Sequence, residues 1–193
     1  MLDYDDEAAG YDESRGGLPR AAAAAQAVHR LLGDGLGPVI DIAGGTGIVT
    51  AELSAAGHQV VVADLSHGML RIAETRLPGR AVQADAGRLP LRDGAVGAVM
   101  SIWLLHLLEP AIVAGVVAEA RRVLRPAGRY LTTVDKDAAQ GRQRQHATDR
   151  RDRIEQLCAA SGLRPTDETI FVGHGQGGGV RPDPVYTLLA FAR

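Results

Sequence analysis

The chain has 193 residues, 46% of them hydrophobic and 23% charged, with a formal net charge of -2; this suits one globular domain of ordinary composition and excludes a polybasic nucleic-acid surface. Cys158 is the sole cysteine, which excludes an internal disulfide and a cysteine-built zinc site, and no metal site is expected. The opening residues Met1 to Glu7 are acidic and no later apolar run reaches membrane-spanning length, so the expectation is a soluble, cytoplasmic protein, monomer or homodimer, with no nucleic-acid or membrane partner.

Apolar, β-branched runs alternate with alanine-rich helical runs, the pattern of a parallel sheet covered by helices on both faces. Residues 1–17 read as a lid or tail, and Leu18 to Leu32 as a first helix ended by Gly33, Gly35, Gly37 and Pro38. Val39 to Ala43 is the first strand, Gly44 to Gly47 a tight turn and Ile48 to Ala56 a helix closed by Gly57. Gln59 to Asp64 is the second strand, Ser66 caps a helix to about Leu77, and Ala81 to Ala84 is a short third strand before Asp85. Val96 to Trp103 is the fourth, Pro110 opens a long helix to about Arg125, and Arg129 to Val134 is the fifth. The polar stretch Lys136 to Arg153 reads as a mobile connection merging into a helix through Ala160. Thr169 to Val172 and Tyr186 to Ala192 form a hairpin that adds one antiparallel strand. The expected architecture is a three-layer α/β sandwich, one domain over 1–193, with a cofactor-binding core at 18–135 and a helix and hairpin at 136–193 shaping a substrate pocket.

Val39 to Gly47 carries the strongest chemical signal: a buried strand, a glycine turn, then a helix whose free amides face whatever lies above the strand end. Dinucleotide-binding proteins use comparable turns, but Asp41 would repel a pyrophosphate and welcome a cationic amino acid, and Thr50 stands where their third glycine falls. A nicotinamide-dependent oxidoreductase is therefore disfavoured. Asp64 closes the second strand at the spacing of a carboxylate that accepts from both ribose hydroxyls, and Asp85 closes the third. As a buried carboxylate Asp41 needs a donor, for which the amino group of a ligand is the favoured choice.

These residues resemble the class I, seven-stranded, Rossmann-like S-adenosylmethionine-dependent methyltransferases, in their compact small-molecule branch, clearly over residues 37–135. The family's acidic residue and GxGxG turn match Asp41, Ala43, Gly44, Gly45, Thr46 and Gly47, with Ala43 in place of the first glycine. Its ribose carboxylate matches Asp64 and its adenine contacts match Leu65, Met69, Asp85 and Ala86, with Ser101 of the fourth strand as a further cofactor residue. Met69 equally suits plain helix packing. Gly97 stands where many members carry aspartate, and Ala127 where glycine is common. Tyr11 and Arg15 resemble the family's lid over the cofactor's carboxylate, against the alternative of a frayed tail.

The resemblance implies S-adenosylmethionine as cofactor, S-adenosylhomocysteine as product, and direct in-line methyl transfer to a small molecule, a secondary metabolite in the narrowest form of the expectation. Trp103 and His106 line the expected substrate pocket, and His106 is either a general base or the residue that orders its loop. The segment His174 to Gly179 reads as a hairpin loop beside the site. A non-catalytic ligand-binding protein on the same fold is the alternative reading.

Overall fold

The computed structural model describes residues 3–33, 35–142, 147–176 and 182–193. Its centre is a seven-stranded sheet in the order β3-β2-β1-β4-β5-β7-β6. The strands are β1 (Val39–Ile42), β2 (Val60–Asp64), β3 (Ala81–Gln83), β4 (Val96–Ser101), β5 (Leu124–Val134), β6 (Arg164–Val172) and β7 (Val185–Ala192). β7 runs antiparallel to both β5 and β6, and β1 to β5 pair in parallel. The expected single antiparallel strand is therefore β7.

β1 and β4 are buried at every residue, as strands covered on both faces must be. On one face lie α3 (Gly17–Leu32), α4 (Ile48–Ala55) and α5 (His67–Arg76), packing Val28, Leu53 and Leu70 against Met100 and Leu131. On the other lie α6 (Pro110–Val123) and α8 (Arg151–Ala160), which pack Val117 and Ile154 against Ile40, Val99 and Tyr130. The strand order reverses between β1 and β4, and a ligand crevice opens at the carboxyl ends of strands around such a switch point.

Ahead of α3 stand α1 (Tyr4–Glu7), a single 3-10 turn at Ala8–Gly10 and α2 (Tyr11–Ser14). Residues 3–17 are therefore folded rather than frayed, and acidic side chains fasten them over the sheet edge. Asp5 Oδ1 accepts from Ser66 Oγ at 2.5 Å and from Gly68 N at 2.7 Å, completing the cap of α5. Asp12 accepts from Thr46 Oγ1 at 2.6 Å and from Arg76 at 2.6 Å, while Arg76 donates to the Thr46 carbonyl at 2.8 Å. A side chain at Gly68 would put its Cβ 2.8 Å from the Asp5 backbone, so glycine there lets α1 seat.

The sequence places the start of β5 at Arg129, whereas the strand begins at Leu124, because Val96 pairs with Leu124 before a bulge resets the register at Ala98. β6 begins at Arg164 rather than Thr169; its first half is exposed and polar on an edge strand, so no apolar alternation announces it. The connection after β5 contains the short helix α7 (Lys136–Ala139), and α8 starts only at Arg151. Part of that connection, 143–146, lies outside the described residues, as do 177–179 of the expected loop His174 to Gly179.

Candidate cofactor and acceptor site

β1 delivers Asp41 into the crevice wall and the chain then turns sharply. Ala43, Gly45 and Gly47 take φ of 55°, 57° and 69°. Ala43 thus occupies a left-handed position where the family's glycine carries no steric penalty, a departure that costs about 1 kcal/mol. A Cβ on Gly44 would lie 2.7 Å from Asp41 Oδ2 and 3.1 Å from Val62 Cγ1, so glycine is what allows the turn to fold down on the carboxylate.

Asp41 is 3% exposed, and the donor it needs is already present: Thr50 Oγ1 hydrogen-bonds Oδ2 at 2.5 Å. Thr50 thus supplies a donor for which the sequence alone favours a ligand amino group. The residue that breaks the dinucleotide glycine pattern is the one that holds the carboxylate. Burial pushes the Asp41 carboxyl up to about 7, with the Thr50 hydroxyl pulling it down and Asp64 adding to the rise. A carboxyl whose folded pKa lies above its unfolded 3.8 stabilises the fold fully below that value and loses this contribution as pH rises through about 7. Between pH 5 and pH 7.5 the unliganded wild type is expected to lose about 2 kcal/mol relative to Asp41→Asn, read from urea unfolding of both. A stability gap that stays constant with pH removes this account.

Asp64, half-buried at the end of β2, accepts from Gly45 N and Ser66 N, each at 2.8 Å, and so ties the glycine turn to the start of α5. Burial raises its pKa, against the pull of backbone donors at Ser66, Gly45 and Leu65. Leu65 is exposed at the mouth, whereas Met69 is buried beneath the turn, its sulfur 3.9 Å from a Cβ built on Gly45. Asp85 is exposed and accepts from Gly87 N at 2.7 Å, and Ala86 is half-buried beside the α6 core. Ser101 is corrected as a side-chain cofactor contact: its hydroxyl is fully buried and bonded to Tyr130 Oη and Thr132 Oγ1 at 2.8 Å each, inside the sheet.

Across the crevice stand aromatic rings and cations. Tyr11 packs edge-on to Tyr4 at 6.1 Å, and the Arg15 guanidinium lies 5.3 Å from the Tyr11 ring. Burial raises both phenols, and Asp64 adds to the rise in each. Arg20 is 6% exposed, lies 3.3 Å over the Trp103 ring and donates to the Arg15 carbonyl at 3.0 Å. Burial pushes its pKa down to about 10. Trp103 adopts φ 58° and packs edge-on against Phe171 and Tyr186 at 5.6 and 5.5 Å. His106 follows in a 3-10 turn, its Nε2 2.6 Å from Lys136 Nζ. Gln176 reaches across to close this side, donating to the Arg15 carbonyl at 3.0 Å and accepting from Tyr186 Oη at 2.5 Å.

Sequence reasoning missed Tyr4, Asp12, Arg20, Thr50 and Lys136. Two had a signal: Arg20 is a cation directly before the alanine run Ala21 to Ala25, and Lys136 is the only lysine in an arginine-rich chain.

The buried Nε of Arg15, the buried Nε of Arg20 and the indole Nε1 of Trp103 have no acceptor among the described residues. Buried donors in that condition call for an anion, and the carboxylates opposite call for hydroxyls and a cation. S-adenosylmethionine offers all three, so the residues present fit it. A family model described as a methyltransferase domain matches residues 40–132. The demethylmenaquinone methyltransferase of Clavibacter sepedonicus is 41% identical over 98 residues, covering 48% of this chain and 39% of that protein, so the chain spans well under half the length of this curated relative. Among solved structures, a chain of the Haloferax volcanii complex between the Trm112 methyltransferase activator and the putative methyltransferase superposes with a TM-score of 0.76 at 16% identity, covering 98% of both chains. Geranyl diphosphate C-methyltransferase from Streptomyces coelicolor, solved with S-adenosylhomocysteine, superposes with a TM-score of 0.68 at 17% identity, covering 89% of this chain and 77% of that one. Over residues 40–132, just under half of the chain, the sequence thus resembles a methyltransferase domain, and the described residues share the Rossmann-like fold of solved S-adenosylmethionine-dependent methyltransferases.

Proposed function

We propose that the chain transfers a methyl group from S-adenosylmethionine to a small, flat, hydroxylated aromatic molecule of the phenol or hydroquinol kind, secondary metabolites of that shape included. The observation that carries the reading is the division of polar groups across the crevice, with the Asp64 carboxylate on the glycine-turn side and the Nε donors of Arg15 and Arg20, which have no acceptor among the described residues, on the other. That arrangement suits a nucleoside joined to a zwitterionic amino acid. In this reading Asp64 receives the ribose hydroxyls, the pocket edge at Leu65, Met69, Asp85 and Ala86 receives the adenine, and Arg15 with Tyr11 covers the carboxylate.

When bound, the cofactor supplies a methyl group already activated on a positively charged sulfur. The protein's own work is alignment and exclusion of water. α1 and α2, clipped to α5 and the glycine turn, roof the crevice, and Arg20, stacked on Trp103, places a cation beside the expected acceptor position. The acceptor class is supported by the name of the relative at 41% identity. Calorimetry with S-adenosylhomocysteine, followed by transfer of labelled methyl to a panel of phenols and hydroquinols, tests the reading. Micromolar binding and turnover on a member of the panel are expected; no heat of binding rejects the reading.

A further inference from the structure

The segments leaving β4 and β5 bring together two side chains that cofactor binding does not use. Lys136 opens α7, its backbone N fixed by Asp149 Oδ2 at 2.9 Å, and His106 lies in the turn after β4; their nitrogens are 2.6 Å apart. At that separation one nitrogen donates to the lone pair of the other. Among the described residues the charged groups around Lys136 are Arg15 beyond α2, Arg20 of α3, Arg142 beyond α7, Asp137 of α7 itself, which Arg142 engages at 2.9 Å, and Asp149, whose carboxylate holds the Lys136 backbone N. Cations dominate that set, so the space beside Trp103 repels a protonated amine and attracts an oxyanion.

We propose that Lys136, paired with His106, takes the hydroxyl proton of an acceptor methylated through its oxyanion, so that the acceptor class is a phenol, hydroquinol or enol; this rests on the methyltransferase reading. The acceptor's O–H bond breaks and its proton passes to a lone pair of the Lys136–His106 pair. The Arg20 guanidinium faces the negative oxygen. As the acceptor's oxygen bonds to the methyl carbon, the carbon–sulfur electron pair stays on sulfur. The proton then leaves to solvent when the acceptor departs. An amine able to do this must be neutral near physiological pH. Burial first, and then Arg20, Arg15 and Arg142, push Lys136 down to about 7, with Asp137 opposing.

Lys136 is the only lysine, so lysine labelled with 15N at Nζ gives a single side-chain signal, whose pH titration is independent of any ligand. A midpoint near 7 is expected, rising by about one pH unit in Arg20→Gln as a facing cation is lost. A midpoint in the ordinary lysine range overturns the proposal. A second measurement adds 4-nitrophenol to protein loaded with S-adenosylhomocysteine, at a pH where the free phenol is largely neutral. Growth of the phenolate absorbance is expected in wild type and its loss in Lys136→Met, with folding of the variant checked by circular dichroism. Absence of the band in wild type, or its persistence in folded Lys136→Met, overturns the proton transfer while leaving the methyltransferase reading intact. Failure of S-adenosylhomocysteine to bind removes that reading instead.

Discussion

Asp64→Ala is expected to weaken S-adenosylhomocysteine binding by a factor of about a hundred or more. The Asp64 carboxylate sits at the carboxyl end of β2, beside the switch point between β1 and β4, with each oxygen anchored by one backbone N–H, from Gly45 and from Ser66. Those two donors leave lone pairs facing the crevice and fix the direction in which they point. Two hydroxyl bonds to a charged group contribute about 3 to 5 kcal/mol together, and each 1.4 kcal/mol is a factor of ten in affinity. The alanine variant also frees the glycine turn from α5, which adds to the loss. Asp64→Asn separates the two effects: an amide keeps an oxygen for one anchoring N–H but offers a donor where the second acceptor was, so binding should fall by an intermediate factor with little change in melting temperature. Calorimetric affinity within threefold of wild type for Asp64→Ala would place the nucleoside elsewhere.

Much of this fold is legible in the sequence because its central strands are buried on both faces and must be continuously apolar. β1 and β4 are visible for that reason, and Ser66 and Pro110 mark helix starts by their own chemistry. β6 reads short in the sequence because an edge strand needs no apolar face, and residues 1–17 suit a lid or a tail equally because α1 and α2 are each too short to show a helical period. In the candidate site, local chemistry was readable and pairing across the sheet was not. Asp41 announced itself as a buried acid, but its partner is Thr50 from the following helix. Arg20 read as part of a helix start, and only the fold lays it on Trp103. His106 was visible as a candidate base, whereas the nitrogen beside it comes from a segment thirty positions further on.

Gly97→Ala is expected to unfold the protein, or to lower its stability by about 4 kcal/mol or more, although it lies away from the crevice and adds only a methyl group. A Cβ on Gly97 would sit 1.3 Å from the Leu36 carbonyl oxygen and 2.4 Å from its carbon, both backbone atoms that no rotamer change can move aside. The Pro38 carbonyl accepts from Gly97 N at 2.9 Å and Ala98 N at 3.1 Å, so the crossing segment is bonded to β4 at the very place it would have to leave. Pro38 leads directly into β1, where Val39 pairs with both Val60 and Ala98; moving it would unseat the central strand that carries Asp41. The control is Gly115→Ala in the middle of α6, where an added Cβ meets nothing within 4 Å. Helix propensity alone should make that variant more stable by about 0.5 to 1 kcal/mol. Thermal and urea unfolding of the two variants side by side decides the matter: a Gly97→Ala protein that melts within a few degrees of wild type would mean that the segment before β1 does not cross β4 at this separation.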